Sequence, residues 1–193
     1  MRLRQSFSGP PVIVAMLSIT ALAAQQAQTW QHSPEVPFVP TSAEAVQAML
    51  RLAGVTKTDI VYDLGCGDGR IVVAAAKNFG ARAVGIDIDP QRIAEARENA
   101  RRAGVEDKVR FEENDLFQAD IHQATVVTLF LLAHVNLKLR PKLLQDLRPG
   151  TRIVSNTFDM GDWKADKELT LGDPQELAFL SHHFFLWIVP RKK

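Results

Sequence analysis

The chain has 193 residues, enough for one domain of ordinary size and a short extra segment. Apolar residues make up 46% and charged residues 23%, which excludes a disordered chain and fits a domain with a buried core. A formal net charge of +1 argues against nucleic acid as the partner, and the single cysteine, Cys66, excludes an intrachain disulfide and argues against a cysteine-built zinc site.

Arg2 and Arg4 precede an apolar run from Pro10 to Ala24, and no acidic residue appears before Glu35. A basic start, a short apolar stretch and the triplet Ala21-Leu22-Ala23 read as a secretory signal peptide over residues 1–24, with export as its consequence. The run is short of the roughly 20 apolar residues that a comfortable membrane span needs. An uncleaved membrane anchor and an organelle transit peptide are the alternatives. No transmembrane segment is expected in the mature form. Residues 25–40, punctuated by Pro34, Pro37 and Pro40, read as a linker, and the domain proper occupies residues 41–193.

A first helix starts at Thr41, where Thr41 and Glu44 match a capping box, and ends at Gly54. Strand and helix then alternate. Residues 60–64, 83–88, 109–112, 125–131 and 152–158 read as strands; 71–79, 90–103 and 137–147 read as helices. Alternation of this kind implies right-handed crossovers and a parallel sheet. Residues 168–171 and 184–189 are strand-like and are expected to form an antiparallel pair at the end of that sheet. The fold class is therefore α/β: Rossmann-like and doubly wound, with a mostly parallel seven-stranded sheet and an antiparallel C-terminal strand pair.

The segment Val61-Tyr62-Asp63-Leu64-Gly65-Cys66-Gly67-Asp68-Gly69-Arg70 closes the first strand and opens a helix. Glycines there let the backbone turn tightly and approach a ligand closely. Asp87 ends the second strand, where a carboxylate accepts hydrogen bonds from both ribose hydroxyls of a nucleotide. The dinucleotide pattern Gly-x-Gly-x-x-Gly fails, because Arg70 stands at its third glycine. An acid at Asp63 instead suits a ligand with an amino group and no phosphate. No cluster of metal-ligating residues is evident, and no metal is expected; His182-His183 lacks further partners.

On these motifs residues 36–163 resemble the class I, seven-stranded S-adenosylmethionine-dependent methyltransferases. The resemblance implies that Asp63, Gly65, Gly67 and Gly69 hold the methionine part of S-adenosyl-L-methionine and Asp87 the ribose. It further implies that Ile88 packs on the adenine, with Asp115 in Asn114-Asp115-Leu116 accepting from the adenine amine. A narrower resemblance rests on Val36-Pro37-Phe38-Val39-Pro40-Thr41, Asp68-Gly69-Arg70-Ile71-Val72 and Phe158-Asp159-Met160-Gly161-Asp162-Trp163. These are similar to the ATP synthase c-subunit lysine methyltransferase family and its bacterial relatives. That similarity implies a protein-lysine N-methyltransferase.

Phe38, Phe158 and Trp163 are candidates for an apolar channel around the acceptor, with Asp159 as a polar contact; the same aromatics also suit ordinary core and edge packing. Two other functions fit the scaffold: a small-molecule methyltransferase, and an inactive protein that has kept the cofactor site. The sequence leaves the acceptor itself unnamed.

Overall fold

Residues 60–64 are apolar apart from Asp63, and the pattern of the neighbouring segments is similar, as strands covered on both faces by helices must be. The computed structural model describes residues 38–172 and 182–191. The expected leader and all but the last three linker residues lie outside these. The strands are β1 (Ile60–Leu64), β2 (Arg82–Asp87), β3 (Val109–Glu113), β4 (Val126–Leu129), β5 (Arg152–Asn156), β6 (Lys167–Leu171) and β7 (His182–Ile188). They form a seven-stranded sheet in the order β3-β2-β1-β4-β5-β7-β6. β1 to β5 run parallel, while β7 pairs antiparallel with both β5 and β6. The doubly wound sheet and its antiparallel end are as the sequence implied.

The helices are α1 (Ala43–Leu52), α2 (Arg70–Phe79), α3 (Pro90–Ala103) and α4 (Ala133–Asp146). Met49 and Leu50 of α1, Val72 and Ala75 of α2, and Ile93 and Ala96 of α3 share one core with Val61, Val126 and Val154 of the sheet. Leu139 and Leu143 of α4 share the other with Leu64, Val127, Ile153 and Trp187. Alternate strand residues thus serve opposite faces. The outer strand β6 is exposed along most of its length, and its charged Lys167 and Glu168 suit an unpaired edge. No helix among the described residues is long and apolar enough to cross a membrane.

Several boundaries differ from the sequence reading, four of them by enough to change a residue's role. Ser42, not Thr41, caps α1: its backbone is extended and its hydroxyl accepts from the Ala45 amide at 3.1 Å. Thr41 is buried instead, and its carbonyl accepts from the Arg70 guanidinium at 2.7 Å. α4 begins at Ala133, four residues before Leu137; the buried Asn136 interrupts the apolar stripe by which a core-facing helix is read, which hid its first turn. β4 and β5 stop at Leu129 and Asn156. Thr157, with φ +71°, turns the chain away from the sheet, so Phe158 belongs to the connection beyond.

Candidate functional site

The C-terminal ends of β1 and β2 meet at the glycine turn. The amides of Gly65 and Cys66 both donate to the Ile86 carbonyl, at 2.8 and 3.0 Å, which ties the turn to β2. The Gly67 amide donates to the Asp87 carboxylate at 2.8 Å, and the Asp89 amide donates to its other oxygen at 3.0 Å. Gly65, Gly67 and Gly69 have φ of +80°, +52° and +75°, a region that side-chain-bearing residues rarely enter. Space also demands glycine. A Cβ at Gly65 would lie 2.8 Å from Leu131 Cδ2, and one at Gly67 would run into the Phe38 ring.

At Gly69 the added carbon would stand 2.7 Å from both Ala96 Cβ and Phe111 Cε1. Overpacking and left-handed strain then act together. Gly69→Ala is expected to cost about 3 kcal/mol, on the order of 10 °C in Tm, read by thermal unfolding. An unchanged Tm would show that the α3 packing gives way freely.

Three carboxylates gather around the turn. Asp63 is only 2% exposed, and its carboxyl accepts from the Thr128 hydroxyl at 2.7 Å. Burial, reinforced by the charges of Asp87 and Asp68, pushes Asp63 up to about 7 against the opposing Thr128 bond. Asp68 behaves differently. Burial opposes its ionisation, but the hydrogen bonds and charge of Arg70, at 2.6 Å, hold it below its ordinary value. Burial pushes the Cys66 thiol up, so Cys66 is an inert packing residue. Mutual repulsion of this kind is relieved by a ligand that brings positive charge. S-adenosylmethionine, with its ammonium and sulfonium groups, fits.

Arg70 joins the turn to the chain before α1, since it binds both Asp68 and the Thr41 carbonyl. Phe38 lies there too, against Gly67, with the Arg92 guanidinium 4.5 Å from its ring centroid. Ile88 is half-buried just past β2. The Asn114 amide donates to the Asp87 carbonyl at 2.9 Å and sets the 114–116 segment beside the end of β2. Asp115 accepts from the Phe117 amide at 2.9 Å and from the Gln118 side chain at 3.1 Å, so it also caps a local turn. Leu116 packs on the α4 face of the core.

The other acceptor candidates are divided. Phe158 and Asp159 follow β5, and both carbonyls accept from the buried Asn136 amide nitrogen, at 3.0 and 3.3 Å. The Asp159 carboxylate accepts from Gly161 at 3.0 Å. Trp163 packs with Trp187, ring centroids 6.0 Å apart, and its carbonyl accepts from the Trp187 indole at 2.8 Å. The structure therefore brings Phe38 to the glycine turn and Phe158 to the end of β5, while Trp163 joins the core on the α4 face. Sequence reading quoted Arg70 only as part of its motifs, without its contact to Thr41, and passed over Asn136. A single asparagine in the first turn of a helix carries no periodic signal.

A family model described as the ANTKMT methyltransferase domain matches residues 63–167. Over 163 residues the chain is 43% identical to a protein-lysine N-methyltransferase of Saccharolobus islandicus (strain REY15A), covering 84% of this chain and 99% of that one. It is 34% identical over 131 residues to the ATP synthase c-subunit lysine N-methyltransferase of Xenopus laevis, covering 68% of this chain and 57% of that protein, so it spans just over half of that relative. The crystal structure of an RNA methyltransferase from Salinibacter ruber in complex with S-adenosyl-L-homocysteine matches with a TM-score of 0.74 at 50% identity, over 80% of this chain and 96% of that one.

Proposed function

The chain belongs to the family of the ANTKMT methyltransferase domain and is an S-adenosylmethionine-dependent methyltransferase, and from that premise we propose that its acceptor is a protein lysine. The observation that carries this reading is the match to the Saccharolobus islandicus protein-lysine N-methyltransferase over almost its whole length. When bound, S-adenosylmethionine supplies a methyl group already activated on a sulfonium sulfur. The protein has to bind, orient and dehydrate.

In this reading the backbone from Gly65 to Gly69 and the Asp63 carboxylate hold the methionine end, and Asp87 accepts from the ribose hydroxyls. Ile88 and Leu116 flank the adenine, and Asp115 accepts from its amine. The order β2-β1-β4-β5 then leaves the ends of β4 and β5 for the acceptor. A lysine amine must be neutral to attack, and in water it holds its proton up to a pKa of about 10.4, so apolar surroundings that disfavour the ammonium assist. Phe38 and Phe158 are proposed to supply them. Transfer would form the N–C bond as the C–S bond breaks with its electron pair left on sulfur, and the resulting methylammonium would lose one of its two N–H protons to water.

An RNA acceptor is the competing reading, because the Salinibacter ruber relative is called an RNA methyltransferase. The net charge of +1 weighs against it. The two separate in one experiment: methyl-labelled cofactor is supplied with an extract of source cells lacking the gene. The expected label resists ribonuclease and appears as Nε-methyl-lysine after acid hydrolysis. Label released by ribonuclease, or confined to small molecules, would overturn the lysine reading.

The leader over residues 1–24 is a separate proposal, of export or anchoring. N-terminal sequencing of the mature protein is expected to begin near residue 25, and an intact Met1 would exclude cleavage.

A further inference from the structure

At the end of β5 a strained backbone and an unpartnered polar group coincide. Thr157 has φ +71° although it is β-branched, a conformation that persists only where its surroundings enforce it. Two contacts do so: its amide donates to the His183 carbonyl at 2.6 Å, and its hydroxyl donates to the Asn156 side-chain oxygen at 3.1 Å. Asn156 is 0% exposed. His182 Nδ1 stands 3.3 Å from that same oxygen, yet the other end of the Asn156 amide has no hydrogen-bond partner among the described residues. Buried amides without partners are uncommon, and leaving one costs more than an ordinary hydrogen bond returns.

Neighbouring strands lie about 4.8 Å apart, so the end of β5 is roughly 10 Å from the end of β1, across β4. The cofactor residues cluster at β1 and β2. A methyl acceptor has to approach from the opposite side, over β4 and β5. Resting on the reading of a lysine acceptor, we propose that an acceptor amine entering beside β5 completes the hydrogen bonding of the Asn156 side-chain amide, which is closed off from solvent in this structure, and that His182 is the positioning residue that orients it.

The amide can face either way, because its partner His182 offers either role. When His182 Nδ1 carries the proton it donates to the Asn156 oxygen, and the amide nitrogen is the end left over. When Nδ1 is bare it accepts from the Asn156 nitrogen, and the oxygen is presented instead. An oxygen there accepts an N–H of the lysine amine and leaves the nitrogen lone pair free for the methyl carbon. Burial disfavours a charged His182, which keeps the bare-Nδ1 tautomer accessible. The ring lies nearly parallel to that of Phe184, at 9°, with centroids 5.8 Å apart.

The test uses the full chain, labelled cofactor and the gene-deficient protein extract. Asn156→Leu removes both amide ends but keeps the volume. It is expected to lower the initial rate of transfer to protein at least tenfold, with the cofactor Kd within twofold of wild type and Tm not lowered. His182→Phe is expected to lower the rate several-fold, and His182→Gln, which can still donate or accept, to restore most of it. Wild-type transfer by Asn156→Leu would overturn the inference, and so would a loss of transfer explained by a fall in Tm. Wild-type transfer to RNA and not to protein would instead remove the lysine reading and this inference with it.

Discussion

Replacing Asp87 with alanine is expected to raise the Kd for S-adenosylmethionine about 100- to 1,000-fold, measured by calorimetric titration of the folded variant. The carboxylate stands at the end of β2 with one oxygen on the Gly67 amide and the other on the Asp89 amide. Each oxygen has lone-pair capacity to spare for a ribose hydroxyl. Hydrogen bonds to a charged group contribute about 1.5–3 kcal/mol each, so losing two near the lower end of that range removes about 3–4 kcal/mol of affinity, two to three decades at about 1.4 kcal/mol per decade. The variant also frees two backbone donors at the turn, for a stability loss of about 1–3 kcal/mol. Asp87→Asn is expected to fall between, because its single oxygen can serve only one of the two amides. Affinity in Asp87→Ala within threefold of wild type would remove Asp87 from the ribose role.

That prediction rests on residues the sequence already singled out, and there is a reason they were legible. Asp63, the three glycines and Asp87 are constrained by the backbone: left-handed φ at Gly65, Gly67 and Gly69, and a place for each acid among the last two residues of its strand. Such constraints leave local signatures. The central strands β1 and β4 were legible for a similar reason, since burial on both faces makes them nearly continuous apolar runs. The errors arose where one side chain overrode the pattern. Ser42 and not Thr41 caps α1, and Thr41 is buried with its carbonyl on Arg70. Asn136, buried under the segment after β5, disguised the first turn of α4. The proposed acceptor side was the least legible part. Asn156 and His182 are 26 residues apart and meet only through the antiparallel pairing of β5 with β7. No spacing rule finds a pair joined by sheet topology.

Cofactor affinity is expected to weaken as pH falls below about 7, by roughly tenfold between pH 8 and pH 6. The cause is Asp63, whose carboxyl is pushed up to about 7 by burial and by the nearby charges of Asp87 and Asp68. The proposed ammonium partner favours the ionised form, so the complex holds Asp63 at a lower value than the free protein does. Below pH 7 the free protein carries a proton that binding must expel, and affinity declines as protons compete. Above it the carboxylate is already formed, and affinity levels off. Calorimetry at pH 7 in two buffers of different ionisation enthalpy should register release of roughly half a proton; uptake, or no change, would remove the ammonium from Asp63. The free protein shows the opposite linkage. A folded-state value raised above the ordinary 3.8 means that the folded protein binds more protons than the unfolded chain between about 4 and 7. Its stability contribution is therefore present at acid pH and is lost as pH rises through that window. Asp63→Asn, which can still accept from the Thr128 hydroxyl, is expected to be more stable than wild type at pH 8 and to lose both cofactor affinity and its pH dependence. The buried acid thus lowers the stability of the empty protein at neutral pH, and a cationic ligand relieves that cost on binding.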